Sequence, residues 1–303
     1  MTLYNFIRDH NYILTQAAID EVLSRSAHVT MHPRLGNALF IYDKKSKQIM
    51  SELYLEFIEL ACNADVPILI FTPTWRANSE RLLEADIQSA VNEDAVSFLN
   101  ELRSGWGKYK DHILIGGDMG CKNDAYRPGE ALSTEKAKEF HAWQIDRLAR
   151  GGVDFLAAGP LPALSEARGM ALAMEGSHLP YTLNFVINRD GRLLDGTRLD
   201  HAVQEIDAAC TTPPTGYMIG CSYPSFFKAK DLPDTVCSRI IGFQGNASSL
   251  DHSSLDEAEE IHADDVSDWG DRMIDLNKQH NIKILGGCCG TRLGHLQYIV
   301  DRL

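Results

Sequence analysis

The chain has 303 residues, 44% of them hydrophobic and 8% aromatic, and a formal net charge of −13 from 42 acidic and 29 basic side chains. A balance this acidic argues against nucleic acid or an anionic membrane as the main partner, since both attract basic surfaces. No apolar run approaches the roughly eighteen residues a membrane span requires, and seven cysteines spread through the chain do not make a disulfide framework. Met1 to Arg8 lacks the basic start and apolar stretch of a secretory signal, so a cytoplasmic address is expected.

Short apolar runs alternate with helical patterns along the chain. Tyr12-Ile13-Leu14 reads as the first strand. Ala38 to Tyr42 is apolar enough for a strand but is read as a loop. A helical pattern over Lys47 to Cys62 leads to the run Ile68 to Phe71. Glu80 to Leu102 reads as a helix with a break, followed by His112 to Ile115. Ser133-Thr134-Glu135 opens a helix with Ala142, Ile145 and Ala149 at helical spacing, and Gly151-Gly152 stops it. Then come the run Asp154 to Ala157, a helix over Leu164 to Glu175, and the run Tyr181 to Val186. A helix over Leu199 to Ala209 precedes the runs Tyr217 to Ile219 and Ile240 to Phe243. Asn246 to Asp264 is polar and acidic and reads as a long loop. A helix over Asp265 to His280, the run Ile282 to Leu285 and a helix over Leu293 to Leu303 close the chain.

Strand followed by helix, repeated about eight times, implies parallel strands with crossover helices. The expected fold is α/β, a (β/α)8 TIM barrel formed as one domain over residues 1–303, since such barrels take about 250 residues plus insertions. An open doubly wound sheet is the alternative. In a barrel the strand ends converge on one face, where chemistry is done. Several apolar runs here end in small or polar residues, as in Thr72-Pro73-Thr74, Gly116-Gly117-Asp118 and Gly220-Cys221.

The richest strand end is Gly286-Gly287-Cys288-Cys289-Gly290-Thr291. Two adjacent thiolates reach one ion only if the backbone bends sharply, which glycine allows. Cys221, at the end of another run, is the best third ligand. Three thiolates suit Zn2+ and leave a fourth position for a substrate thiol, which the metal would hold deprotonated. Against this, cysteine is often just a small buried hydrophobe, and Cys62, Cys121, Cys210 and Cys237 are read that way. His252 and His262, in the acidic loop, are potential ligands or solvated loop histidines. A redox role for Cys288 and Cys289 would require a strained eight-membered ring.

Gly-Gly-Cys-Cys-Gly-Thr after a strand, with Gly-x-x-Cys-Ser-x-Pro before it, resembles the homocysteine S-methyltransferase family. The resemblance runs from about Tyr12 to Leu303 and includes Thr72 to Ala77, Phe140 to Ile145, Gly151 to Asp154, Ser165 to Ala167 and Asp195 to Thr197. It implies a zinc-bearing barrel with Cys221, Cys288 and Cys289 as ligands. It also implies two small-molecule partners, a methyl donor (a sulfonium, a betaine or a methylated folate) and a thiol acceptor, homocysteine, which becomes methionine. The oligomeric state stays open.

The chain departs from that family where an amino acid's charged ends would be held. The usual Asp-Gly-Gly after the first strand is Thr15-Gln16-Ala17, and the usual Glu-Thr after the fifth is Ala158-Gly159-Pro160. The usual Asn before the first zinc cysteine is Gly220. Thr15, Gln16, Asp118 and Asn184, the last assigned to the sixth strand, are therefore the candidate substrate contacts. Asp118 either replaces the lost carboxylate or caps a turn; Asn184 bonds substrate or a neighbouring backbone group. Trp75 and Tyr223 are wall or core residues, and Glu166 is read as a helix-start residue. A changed acceptor, or loss of methyl transfer with retention of zinc, is compatible with this pattern.

Overall fold

The computed structural model describes residues 2–252 and 262–303. Eight parallel strands close into a barrel in sequence order: β1 Ile13–Thr15, β2 Ile68–Phe71, β3 Ile113–Met119, β4 Phe155–Leu161, β5 Tyr181–Phe185, β6 Gly216–Ser222, β7 Ile240–Gly245 and β8 Ile284–Gly287. The β1–β8 pairing, with Leu14 opposite Leu285, completes the ring and excludes the open sheet. The strands are mostly apolar because both faces are covered. One face meets the helices and the other fills the barrel, as parallel sheets require.

The crossover helices match the periodic segments. Lys44–Asn63 begins three residues earlier than the pattern suggests, because the Asp43 side chain caps it by accepting the Ser46 backbone N–H at 2.8 Å. The expected break after Glu80 is real and gives Ser79–Glu84 and Val91–Ser104. Thr134–Gly151 stops at Gly152, whose φ of 87° is the left-handed cap glycine favours. Val266–His280 ends the same way on Asn281. Between β6 and β7 the only α-helix is the short Asp234–Cys237.

Ala38–Tyr42 is a short 3-10 helix rather than a loop; its Ala38, Phe40 and Ile41 are buried, which accounts for its strand-like composition. Gly159 lies on the fourth strand and Asn184 on the fifth, each one earlier than the strand assigned to it from the family pattern. Nine residues of the acidic loop, 253–261, lie outside the described residues.

Inward-facing side chains sort by height. Near the bottom, Ile13, Leu69, Leu114, Phe155 and Ile284 form an apolar cluster. The helix Leu3–Asp9 joins it through Leu3 and Phe6, both fully buried. Further along seven of the strands the character changes: Thr15, Asp118, Gly159, Asn184, Gly220, Gln244 and Gly286 stand where the chain alternation again points inward. The fold thus rests on an apolar floor and opens into a polar mouth. Among the described residues no helix is long and apolar enough to cross a membrane.

Candidate metal centre

The C-terminal ends of β6 and β8 bring Cys221, Cys288 and Cys289 together, with their Sγ atoms all within 4.8 Å of one another. The Cys288 and Cys289 sulfurs are 4.0 Å apart. A tetrahedral ion bound to thiolates at about 2.3 Å would place them about 3.8 Å apart, so the cluster needs only a small contraction. All three cysteines are free thiols. A set of soft sulfur donors without a carboxylate suits zinc rather than magnesium or calcium.

Local backbone strain turns Cys221 toward its partners. The β6–β7 register shifts between Gly220 and Ser222, and Cys221 between them has φ of 49°. A residue with a Cβ resists that left-handed conformation by about 1–2 kcal/mol, so neighbouring bonds must hold it. Asn246 Nδ2 donates to the Cys221 carbonyl at 3.0 Å, Asn246 N–H to the Ser222 carbonyl at 3.0 Å, and Ser222 Oγ accepts Ile187 N–H at 2.9 Å.

The double-cysteine segment is held from two sides. Cys288 N–H donates to the Gly245 carbonyl at 2.8 Å and Ala247 N–H to the Cys289 carbonyl at 2.9 Å, both from the end of β7. From the short helix Asp20–Ser24 after β1, the Glu21 carboxylate accepts Gly290 N–H at 3.2 Å and Arg292 Nη1 at 2.8 Å. Of the flanking glycines, one makes the expected bend and one serves differently. Gly290, with φ of 81°, makes the turn, whereas Gly286 is a close-approach position: a Cβ there would lie 1.8 Å from Thr15 Oγ1.

The thiols line a cavity of about 290 Å³ at the barrel mouth, together with Gln16, Trp75, Tyr126, Asp118, Asn184 and Gln244. Cys289 is exposed to this cavity while protein surrounds it on other sides. Hydrogen bonds from Cys221 and Cys288 hold the Cys289 thiol far below its ordinary pKa, against the opposing effect of burial. The Cys288 thiol is pushed up by its bonds to Cys221 and Cys289 and by burial.

Of the candidate substrate contacts, Gln16, Asp118 and Asn184 line the cavity. Thr15 does not: it is fully buried, donates to the Gln16 carbonyl at 3.1 Å and accepts Gln244 Nε2 at 3.3 Å. Gln16 Oε1 in turn accepts Phe71 N–H at 2.9 Å. Trp75 forms part of the wall and carries the Arg76 guanidinium over its ring at 4.5 Å. Tyr223 is core, its hydroxyl donating to Asp268 at 2.7 Å. His262 is exposed, whereas His252 is buried, stacked on Tyr126 at 5.2 Å and bonded through Nε2 to the Ile187 carbonyl.

Glu166 lies in the first turn of the helix Leu164–Met174 but does more than start it. Its carboxylate is fully buried and accepts Lys122 N–H at 2.7 Å, Leu132 N–H at 3.1 Å and His141 Nε2 at 2.9 Å. It thereby pins both ends of the segment that carries Asp124, Ala125 and Tyr126 into the cavity. Burial alone would raise its pKa; these bonds outweigh that and lower it. Tyr126, Asp20, Glu21, Thr182 and Gln244 were not marked by any sequence motif, since they reach the mouth singly, from a loop, the short helix Asp20–Ser24 and the strands β5 and β7. The phenol of Tyr126 is driven far above its ordinary pKa by burial and then by the charge of the three cysteines.

The family description "Homocysteine S-methyltransferase" matches residues 13–303. The chain belongs to the homocysteine S-methyltransferase family. Homocysteine S-methyltransferase 2 of Arabidopsis thaliana is 24% identical over 181 residues; the match takes in 58% of this chain and 53%, about half, of the plant protein. Among solved structures, the metallated form of the homocysteine methyltransferase MmuM from Escherichia coli superposes with a TM-score of 0.74 at 17% identity, covering 96% of each chain. The oxidized form of that enzyme gives 0.75 at 16% identity over 98% of each. These two similarities establish the fold; family membership rests on the sequence match.

Proposed function

We propose that this chain is a zinc-dependent S-methyltransferase that moves a methyl group onto a thiol, with homocysteine the acceptor its family implies. The observation that carries the reading is the meeting of three thiols from two strand ends in the lining of a cavity at the barrel mouth. Cys221, Cys288 and Cys289 would hold the ion. Bound zinc keeps a substrate thiol deprotonated at neutral pH, where a free thiol of pKa near 8.5 is mostly protonated.

The remaining work falls to the chain itself. Methyl transfer to sulfur needs the nucleophile, the methyl carbon and the leaving group in line, and holding reactants in such geometry removes much of the entropic barrier. The three cysteines fix one end of that line. Tyr126, braced by His252 and by the Glu166 anchor, covers the thiols, while Trp75 and Phe71 supply apolar wall. Exclusion of water there strengthens every electrostatic contact inside. Gln16, Asp118 and Asn184 are the proposed contacts to the rest of the substrate. No protein base is required if the thiol proton leaves on binding.

Zinc analysis of the purified protein, followed by methyl-transfer assays with homocysteine and other thiols against sulfonium, betaine and folate donors, tests the proposal. Near-stoichiometric zinc with transfer to homocysteine is the expected result. Stoichiometric zinc without transfer in any combination would instead favour a zinc-retaining binding or regulatory protein.

A further inference from the structure

Two segments that carry the family resemblance, Phe140 to Ile145 and Ser165 to Ala167, contribute no residue to the cavity lining. Both nevertheless bury polar side chains. His141 and Gln144 stand three residues apart on the helix Thr134–Gly151, each 1% exposed, and Glu166 is fully buried. Such burial is costly unless each group is bonded, and the bonds lead to the two walls of the cavity. Gln144 Nε2 donates to the Thr74 carbonyl at 2.8 Å, next to Trp75, and to Asn92 Oδ1 at 3.1 Å. Thr74 Oγ1 donates to the Asp118 carbonyl at 2.7 Å, and Gly120 N–H donates to the Trp75 carbonyl at 3.0 Å. The Trp75 wall is thereby fixed to the end of β3.

Glu166 and His141 act on the other wall. Between Met119 at the end of β3 and Thr134 the chain forms only one short 3-10 turn, Pro128–Glu130. This segment leaves β3, yet its Tyr126 meets β6, three strands away round the ring: the ring stacks on His252 at 5.2 Å and the phenol bonds to Cys221. The near end of the segment is tied three ways. Lys122 N–H donates to Glu166 Oε1, the Lys122 carbonyl accepts Arg81 Nη2 at 3.0 Å, and Lys122 Nζ pairs with Glu80 at 2.9 Å. At the far end Leu132 N–H donates to Glu166 Oε2. One carboxylate thus uses a separate oxygen for each end. An ionised carboxylate only accepts, so His141 must carry its proton on Nε2, which fixes Glu166 Oε1 from the third side.

We propose that Glu166, oriented by His141, is a positioning residue that holds both ends of the 122–132 segment and so keeps Tyr126 closed over the thiols, controlling access to the metal position. The inference rests on the reading that the thiol cluster holds zinc. The carboxylate is needed for its two equivalent acceptors. An amide in its place offers one acceptor oxygen and turns an NH2 toward the other backbone N–H, which frees one end of the segment. Freed at one end, the segment opens locally while the barrel beneath it stays folded.

The rate at which the zinc-loaded protein gives up its metal to the chromogenic chelator pyridylazoresorcinol reads this closure without turnover. The parent is compared with Tyr126→Leu, Glu166→Gln and the double variant, each confirmed as folded by its unfolding transition. Tyr126→Leu removes the cover itself and should speed release ~10-fold or more. Glu166→Gln should approach that rate. The double variant should be no faster than Tyr126→Leu alone, since both changes remove the same cover. Release from Glu166→Gln at the parent rate, or effects that multiply in the double variant, would overturn the proposal. If Glu166→Gln does not fold, His141→Leu takes its place. It leaves the two backbone donors on Glu166 and should speed release ~3-fold; an unchanged rate would count against the proposal equally. A parent that holds no zinc would overturn the zinc reading instead. The same four proteins, metal-free, would then test the cover through the rate at which iodoacetamide alkylates Cys289, followed by peptide mass spectrometry.

Discussion

The two sides of the barrel mouth are built by different means. The β6–β8 side carries its chemistry in a short motif: Cys288 and Cys289 are adjacent in sequence, and Cys221 sits at a strained bulge tied down by Asn246. The β3–β5 side has no motif. Its character comes from residues of two strands, Asp118 on β3 and Thr182 and Asn184 on β5, that share a cavity only after the barrel closes. Metal ligands tolerate little variation in type or position, whereas hydrogen-bonding contacts to the rest of a substrate can come from several kinds of polar side chain. Hence one side of the mouth matches the family pattern while the other departs from it.

The largest expected effect breaks the β6–β8 side alone. Cys288→Ser removes near-stoichiometric zinc, weakening metal binding by more than the roughly 10–100-fold that outer-shell changes cost, and methyl transfer with it. Asp118→Asn keeps the zinc. Metal analysis of both variants by atomic emission checks the contrast; zinc loss in the Asp118 variant would erase the distinction between the two sides.

The next effect tests the anchor that joins them. Glu166→Ala strips a fully buried carboxylate from two backbone N–H groups and His141. Breaking such a buried cluster costs about 3–5 kcal/mol, measurable by denaturant unfolding. Because the folded pKa of Glu166 is lowered below the ordinary 4.5, its contribution is complete above 4.5. It is lost as pH falls through the folded value. The gap between parent and Glu166→Gln therefore narrows on acidification below 4.5. A gap that widened there would contradict the assignment.

A smaller effect is expected at Gly220. Gly220→Ala sets a Cβ against the Asn184 amide and costs about 1–3 kcal/mol by overpacking. It should weaken homocysteine binding while zinc content stays unchanged. Smallest of all, Cys62→Ala lies far from the mouth and should shift stability by no more than about 0.5 kcal/mol with zinc unaltered.

How much of this was readable from the chain follows the same division. Strand runs and the helix stop at Gly151-Gly152 are local or periodic signals, so the order of elements emerged from sequence, whereas closure of the barrel depends on the pairing of β1 with β8. Ala38–Tyr42 is the instructive exception, since burial made a 3-10 helix look like a strand. The three cysteines were legible because glycine-flanked thiols are rare. Thr15 is different. It occupies a strand end, as a substrate contact would, yet Gly286 and Gln244 enclose it completely. Nor could a sequence show that Glu166 bonds His141 or that Tyr126 reaches the thiols, because both depend on how distant segments fold over one another.

The central claim is that three thiolates hold a metal whose remaining position accepts a substrate thiol. X-ray absorption at the zinc edge, recorded with and without homocysteine, tests it most directly. The account predicts about three sulfur neighbours rising to four on addition of homocysteine. A coordination shell that lacks the three protein sulfurs, or one that does not change with any thiol acceptor, would contradict it.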